Sequence, residues 1–199
     1  MYLPAIYASP FKCTNVEVIK QLCFSSYLYY LSIIFSDKVL DNQVVNSLEM
    51  KNHILLSQSL QSYAIQSLQN IFERGSKFWE FFNLRNSEWL DSVYNENEQD
   101  FDITITNYTK HVISKVCIGK LSIDAIYVIE NQKNKVLHQR FIDLYEMFYV
   151  SYQILDDIDD FEEDYDNNQI NIAKDKTLKL INSRQLNITS KKEIKSIFY

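Results

Sequence analysis

Turn-forming residues are nearly missing from this chain of 199 residues, which has two glycines and two prolines. So few chain-reversing positions exclude a β-sandwich or barrel, which needs a turn signal about every 8–12 residues. What remains is an all-α protein of long helices joined by short polar connections. Cysteine is scarce as well. Cys13, Cys23 and Cys117 form an odd set without metal-site spacing, which argues against a disulfide framework and reads as core thiols in a reducing cytoplasm. No basic-apolar-small leader opens the chain. The longest apolar stretch, Leu28 to Phe35, is far shorter than the ~20 residues that span a bilayer, so no transmembrane segment is expected. Positive charge is in the minority: 20 Lys and Arg stand against 26 Asp and Glu, for a formal charge of -6. That balance excludes a nucleic-acid surface, which needs clustered cations to release phosphate counterions. There is no glycine-rich phosphate loop and no glycine-flanked nucleophilic serine. His53, His111 and His138 are not spaced as a ligand pair.

Helical periodicity is what the sequence does have. It predicts a first long helix over Val16 to Leu40 with Thr14 as cap, and a second from Met50 to Phe72 ended by Gly75. A third runs from Lys77 to Asn95, and a fourth from Ile103 to Val128 with Gly119 in its interior. The fifth spans Lys135 to Asp164, with weak helical segments near Thr177 to Ile181 and Ser190 to Phe198. No linker divides the chain, so a single helical domain over residues 1–199 is expected.

The fifth helix passes from the apolar segment Phe148–Leu155 into the run Asp156, Asp157, Ile158, Asp159, Asp160, Phe161, Glu162, Glu163, Asp164. Side chains four apart share a helical face, so Asp156, Asp160 and Asp164 make one column of roughly 12 Å. Such a column repels itself and opposes the negative end of the helix dipole. A divalent cation relieves both penalties. A second acidic turn closes the first long helix, where Asp37 and Asp41 are one turn apart. Two facing acidic helix ends would hold Mg²⁺ ions on a diphosphate, above a pocket that the chain's many aromatic residues would suit.

The segment Tyr152, Gln153, Ile154, Leu155, Asp156, Asp157, Ile158, Asp159, Asp160 resembles the second aspartate-rich motif of the class I isoprenoid synthases, Phe-Gln-apolar-apolar-Asp-Asp-x-x-Asp. These all-α enzymes include trans-prenyl diphosphate synthases, terpene synthases and squalene/phytoene synthases. In terpene-synthase register, Asp156, Asp160 and Asp164 fall on the metal-binding triad. Tyr29 to Asn42 is similar to the first motif, with Lys38 where the second Asp is usual. Tyr108 to Leu121 resembles the segment whose lysine reaches the diphosphate. The resemblance implies an all-α bundle that ionises a linear prenyl diphosphate with as many as three Mg²⁺ ions. It implies Asp37, Asp41, Asp156, Asp157, Asp160 and Asp164 as metal ligands. It also implies Lys115 as the catalytic contact to diphosphate, Lys120 as its spare, and Gln153 on the substrate side.

Two departures shape the expectation. No Arg-Arg pair follows the first acidic turn, where Asn42, Gln43 and Val44 stand instead, and this disfavours chain elongation. Only 35 residues follow Asp164, where the family continues for two or more helices, so the expected pocket is either open or closed by a partner, a homodimer mate or a helper subunit. The expected activity is a lyase or transferase of the terpene-synthase kind. The alternatives are a catalytically incomplete, synthase-like binding or partner subunit, and a prenyltransferase acting on another acceptor.

Overall fold

Polar caps rather than glycines punctuate the chain. In order, the helices are α1 (Leu3–Phe11), α2 (Val16–Leu40), α3 (Ser47–Gln69), α4 (Lys77–Glu96), α5 (Ile105–Lys115), α6 (Leu121–Ile129), α7 (Lys135–Asp159), α8 (Phe161–Asn167) and α9 (Ile172–Arg184), with a 3-10 turn at Cys117–Lys120. This computed structural model describes residues 3–40, 43–44, 46–96, 104–167 and 170–184. Among them the protein is all-helical, without a strand.

An α-helix leaves its first amides without partners, and Asn, Ser or Thr just ahead of it supplies an acceptor. Asn15 accepts from the Val18 N–H at 3.2 Å, Asn46 from Leu48 at 2.8 Å and Thr104 from Asn107 at 3.1 Å. Asn134 accepts from Leu137 at 3.0 Å, and Asn171 from Lys174 at 2.8 Å. The cap of α2 is therefore Asn15, one residue beyond the expected Thr14. At two helix ends the shortage of glycine has a backbone consequence: Lys12, Asn131 and Gln132 take φ of 61°, 54° and 58°, the left-handed region that glycine usually fills.

Three expected boundaries shift. Helix α3 stops at Gln69, several residues before Gly75. The single helix expected over Ile103 to Val128 is two, because the chain tightens into the 3-10 turn that contains Gly119. The expected fifth helix divides at Asp160 into α7 and α8. At that break the Asn171 side-chain amide takes the main-chain carbonyl of Asp157 at 2.6 Å, and Phe161 turns fully inward against Ala173 and Ile181. Helix α1 was not expected. Helix α9 contains the anticipated segment Thr177 to Ile181, whereas Ser190 to Phe198 lies outside the described residues.

The chain forms two compact units, one from Met1–Ser87 and Cys117–Ile142 and the other from Glu88–Val116 and Asp143–Tyr199. Two of their three boundaries fall inside α4 and α7, and the third lies between α5 and the 3-10 turn.

In the first unit α2 and α3 run antiparallel, joined by hydroxyls. The Ser25 hydroxyl donates to Ser67 at 2.8 Å, Ser57 donates to the Ser32 carbonyl at 2.8 Å, and Ser36 and Ser57 share a hydrogen bond of 2.7 Å. Small side chains at these levels, with fully buried Ala64 between them, allow the two helices a close approach. Among the described residues α2 alone is long and apolar enough to cross a membrane by length and composition. Helix α1 packs its aromatic rings on this unit, with Tyr7 edge-on to Phe141 at 5.2 Å. Cys13 and Cys117 are buried, Cys23 is half-buried and all three are free thiols. Burial pushes the Cys13 thiol above its ordinary value.

The second unit has its core under α7. Tyr108, Val112 and Ile172 pack with Val150 and Ile154, and the Tyr145 hydroxyl donates to the Val116 carbonyl at 2.9 Å, tying α7 to the end of α5.

Candidate functional site

Helical register alone separates neighbouring carboxylates in α7, because successive side chains point about 100° apart. Asp157 points inward and is 2% exposed. Its Oδ2 accepts from the Tyr108 hydroxyl at 2.9 Å and from the Ile172 N–H at 2.7 Å, while Oδ1 accepts from Gln153 at 3.0 Å. Burial raises its pKa, and these three hydrogen bonds oppose the rise. Tyr108 responds in the same sense: burial first, then the charge of Asp157, holds its hydroxyl protonated well above the ordinary range. One carboxylate thus fastens α5, α7 and the start of α9 together.

Asp156, Asp160 and Asp164 continue along the outer side. The main-chain ladder runs through the break, with the Asp160 N–H on the Asp156 carbonyl at 2.8 Å and the Asp164 N–H on the Asp160 carbonyl at 2.9 Å. The one-turn spacing therefore survives although the helix divides. Asp156 is raised by burial first and then by the charges of Asp160 and Asp164. Gln153 reaches its Oδ2 at 3.4 Å. Asn171, fully buried, donates to Asp164 Oδ2 at 2.8 Å, and the Lys174 ammonium lies 3.4 Å from the Asp164 carbonyl. Burial lowers the pKa of that lysine.

The structure thus joins Gln153, Asp156, Asp157 and Asp164 through shared side-chain bonds, with Asp160 exposed between them. Lys115 is the exposed last residue of α5 in the same unit. Lys120 is buried in the 3-10 turn of the other unit. Asp37 belongs to that other unit too, half-buried near the end of α2. Asp41 lies outside the described residues.

Among the described residues no three His, Cys, Asp or Glu side chains converge on one ion position. Magnesium does not require such a cage: it binds through one or two carboxylates and completes its octahedron with water and phosphate oxygens. An all-oxygen set, with Asp156 and Asp164 each steadied by an amide, has the donor chemistry for that ion.

Sequence reasoning missed Tyr108, Asn171 and Lys174. Asn171 carried a signal, a capping residue followed by Ile and Ala. It also missed a buried network in the first unit. The fully buried Asp124 accepts from Arg85 Nε at 3.0 Å and from His138 Nε2 at 2.6 Å, and the His138 ring stacks on Tyr127 at 4.2 Å. Nothing in the linear spacing of Arg85, Asp124 and His138 announces it.

No known protein family, no characterised protein and no solved structure matches the chain. The functional reading rests on its own residues.

Proposed function

We propose that the protein is a Mg²⁺-dependent class I isoprenoid synthase of the terpene-synthase kind, which ionises a linear prenyl diphosphate. The observation that carries this reading is the acidic column itself. Asp156, Asp160 and Asp164 stand one turn apart, and Asp156 is held above its ordinary pKa by burial and by its two acidic neighbours. Mutual repulsion of this kind disfavours the unliganded, fully ionised column and rewards a cation. Bound there, Mg²⁺ would supply the positive charge that stabilises a leaving diphosphate.

In this reading Asp156, Asp160 and Asp164 hold metal. Lys115 contacts the diphosphate. Gln153 and Asn171 aim the Asp156 and Asp164 carboxylates, and Asp157 holds the scaffold beneath them. Incubation with Mg²⁺ and geranyl, farnesyl and geranylgeranyl diphosphates, read by product analysis and diphosphate release, tests it. Turnover with at least one substrate is the expected result. Release from none rejects activity for this chain alone. Asp156→Ala should abolish product without lowering thermal stability, whereas Asp157→Ala should lower the melting temperature.

A second reading is favoured by two particulars: Lys38 replaces a carboxylate of the first acidic turn, and Asp157 is already engaged by three protein donors. It is an incomplete, synthase-like partner subunit that keeps the helical scaffold. Co-purification with a complete synthase that is active only in the complex would establish it, and turnover by the isolated chain would remove it.

A further inference from the structure

The seam between α2 and α3 is lined by hydroxyls, Ser25 on Ser67 at 2.8 Å and Ser57 on the Ser32 carbonyl at 2.8 Å. Bulky apolar side chains stand on the outside. Phe24 is 59% exposed, Tyr27 46%, Leu55 60%, Leu56 47% and Tyr63 64%. Only 22% of the most apolar window of α2 is buried, whereas a core helix of such composition would be covered nearly all round. A helix pair in water shows the opposite order, its apolar stripe inward and its polar side chains out. Small residues and hydroxyls between the helices, with bulky apolar residues around them, are the order adopted where the surroundings are lipid.

Charge follows the same division. Helices α2 and α3 carry Glu17, Lys20, Asp37, Lys38, Glu49 and Lys51, which sum to zero. All stand near helix ends: no Asp, Glu, Lys or Arg falls between Gln21 and Ser36 or between Asn52 and Gln69. In a chain of net charge -6 the hairpin is therefore locally neutral, with an uncharged middle roughly 24 Å long at the usual rise per residue. The exposed residues of the two helices share one face, because Phe24, Leu28 and Tyr63 line a single cleft of about 360 Å³ between them, continued by Gln66, Ser67 and Asn70.

We infer that this face of the hairpin lies in the surface of an electrically neutral lipid bilayer, with both helices in the membrane plane. They do not cross it. Leu22, Tyr29 and Leu68 are buried, and Tyr29 sits edge-on to Phe82 of α4 at 5.3 Å, so only one side is left for lipid. A helix held in this way enters about 5–10 Å, to the boundary of headgroups and acyl chains. Tyrosine rings settle at that depth with their hydroxyls toward the headgroups, and the cleft between Phe24 and Tyr63 admits an acyl chain. A neutral bilayer is the one that fits, since the hairpin has no net charge to draw anionic lipid and the excess negative charge of the chain opposes it. The acidic column belongs to the other unit, so lipid here uses none of its carboxylates.

Flotation of the full chain with phosphatidylcholine vesicles, at 50 and 500 mM salt, tests the inference. The chain is expected to float equally in both salts, and no more strongly when phosphatidylserine is added to the vesicles. Phe24→Glu should weaken partitioning by about tenfold or more, the loss of one buried aromatic side chain. Circular dichroism should show unchanged helicity. If Phe24→Glu fails to fold, Leu55→Lys on the other helix carries the same expectation. Phe24→Trp should add a fluorescence that acyl-brominated phosphatidylcholine quenches. A chain that stays in the aqueous fraction overturns the proposal, as does binding confined to anionic vesicles, binding indifferent to both apolar variants, or a floating Phe24→Trp chain whose added fluorescence is not quenched. An aqueous chain that self-associates through Phe24 overturns it too and would assign the face to a second copy.

Discussion

Single residues separate in this protein into those that hold the scaffold and those that repel one another upon it. Asp157 is of the first kind. Removing one donor from a buried, hydrogen-bonded carboxylate costs about 1–3 kcal/mol, so Tyr108→Phe should lower unfolding free energy by that amount in a denaturant titration. An unchanged midpoint would show that the bond contributes nothing. Asp124 is the corresponding residue of the first unit. Because Asp124→Ala removes the carboxylate that faces the buried Arg85 guanidinium, about 3–5 kcal/mol should be lost. His138→Phe should be milder, since the Arg85–Asp124 ion pair remains. A reversal of that order would assign the burden to the histidine. The two environments differ in how far the sequence revealed them. Acidic crowding at Asp156–Asp164 is local and was legible from spacing alone. The Asp124 network joins residues up to 53 positions apart, from Arg85 to His138, and only folding places them together.

At the scale of the helix, the column from Asp156 to Asp164 couples stability to pH. The native pKa of Asp156 lies above the ordinary carboxylate value of 3.8, so the native state binds more protons than the unfolded one in the window that opens there. Stability from this group is therefore greatest at the acidic side of that window and falls as pH rises through it. Asp157, also raised, contributes with the same sign. Thermal melts from pH 4 to pH 7 should show a shallower decline in Asp156→Asn than in the parent chain. Added Mg²⁺ should raise the melting temperature at pH 7 and have little effect at pH 4. Identical pH slopes in the two proteins would remove the column as the source. Helix positions were read well wherever apolar periodicity ran unbroken, as in α2 and α4, which occupy Val16–Leu40 and Lys77–Glu96. Periodicity failed at Cys117–Lys120 and at Asp160, because a 3-10 turn and a one-residue break disturb the apolar pattern too little to register.

For the whole molecule, an excess of six negative charges repels itself more in the compact state than in the expanded one. Raising salt from 50 to 500 mM shortens the screening length to a few ångströms, so the melting temperature should rise. An unchanged melting temperature would show that net charge does not limit stability. That the protein is all-helical could be read from its poverty in glycine and proline. Its division into two units could not, because two of the three boundaries fall within the continuous helices α4 and α7 and the third at the short turn after α5.

Ser57 stands where two hydroxyl links between α2 and α3 meet, accepting from the Ser36 hydroxyl and donating its one proton to the Ser32 carbonyl. Two of the hydroxyl links of that hairpin thus depend on one oxygen atom. Its deletion would remove both at once while leaving Ser25 on Ser67, and the loosening would show as faster amide exchange on both rods.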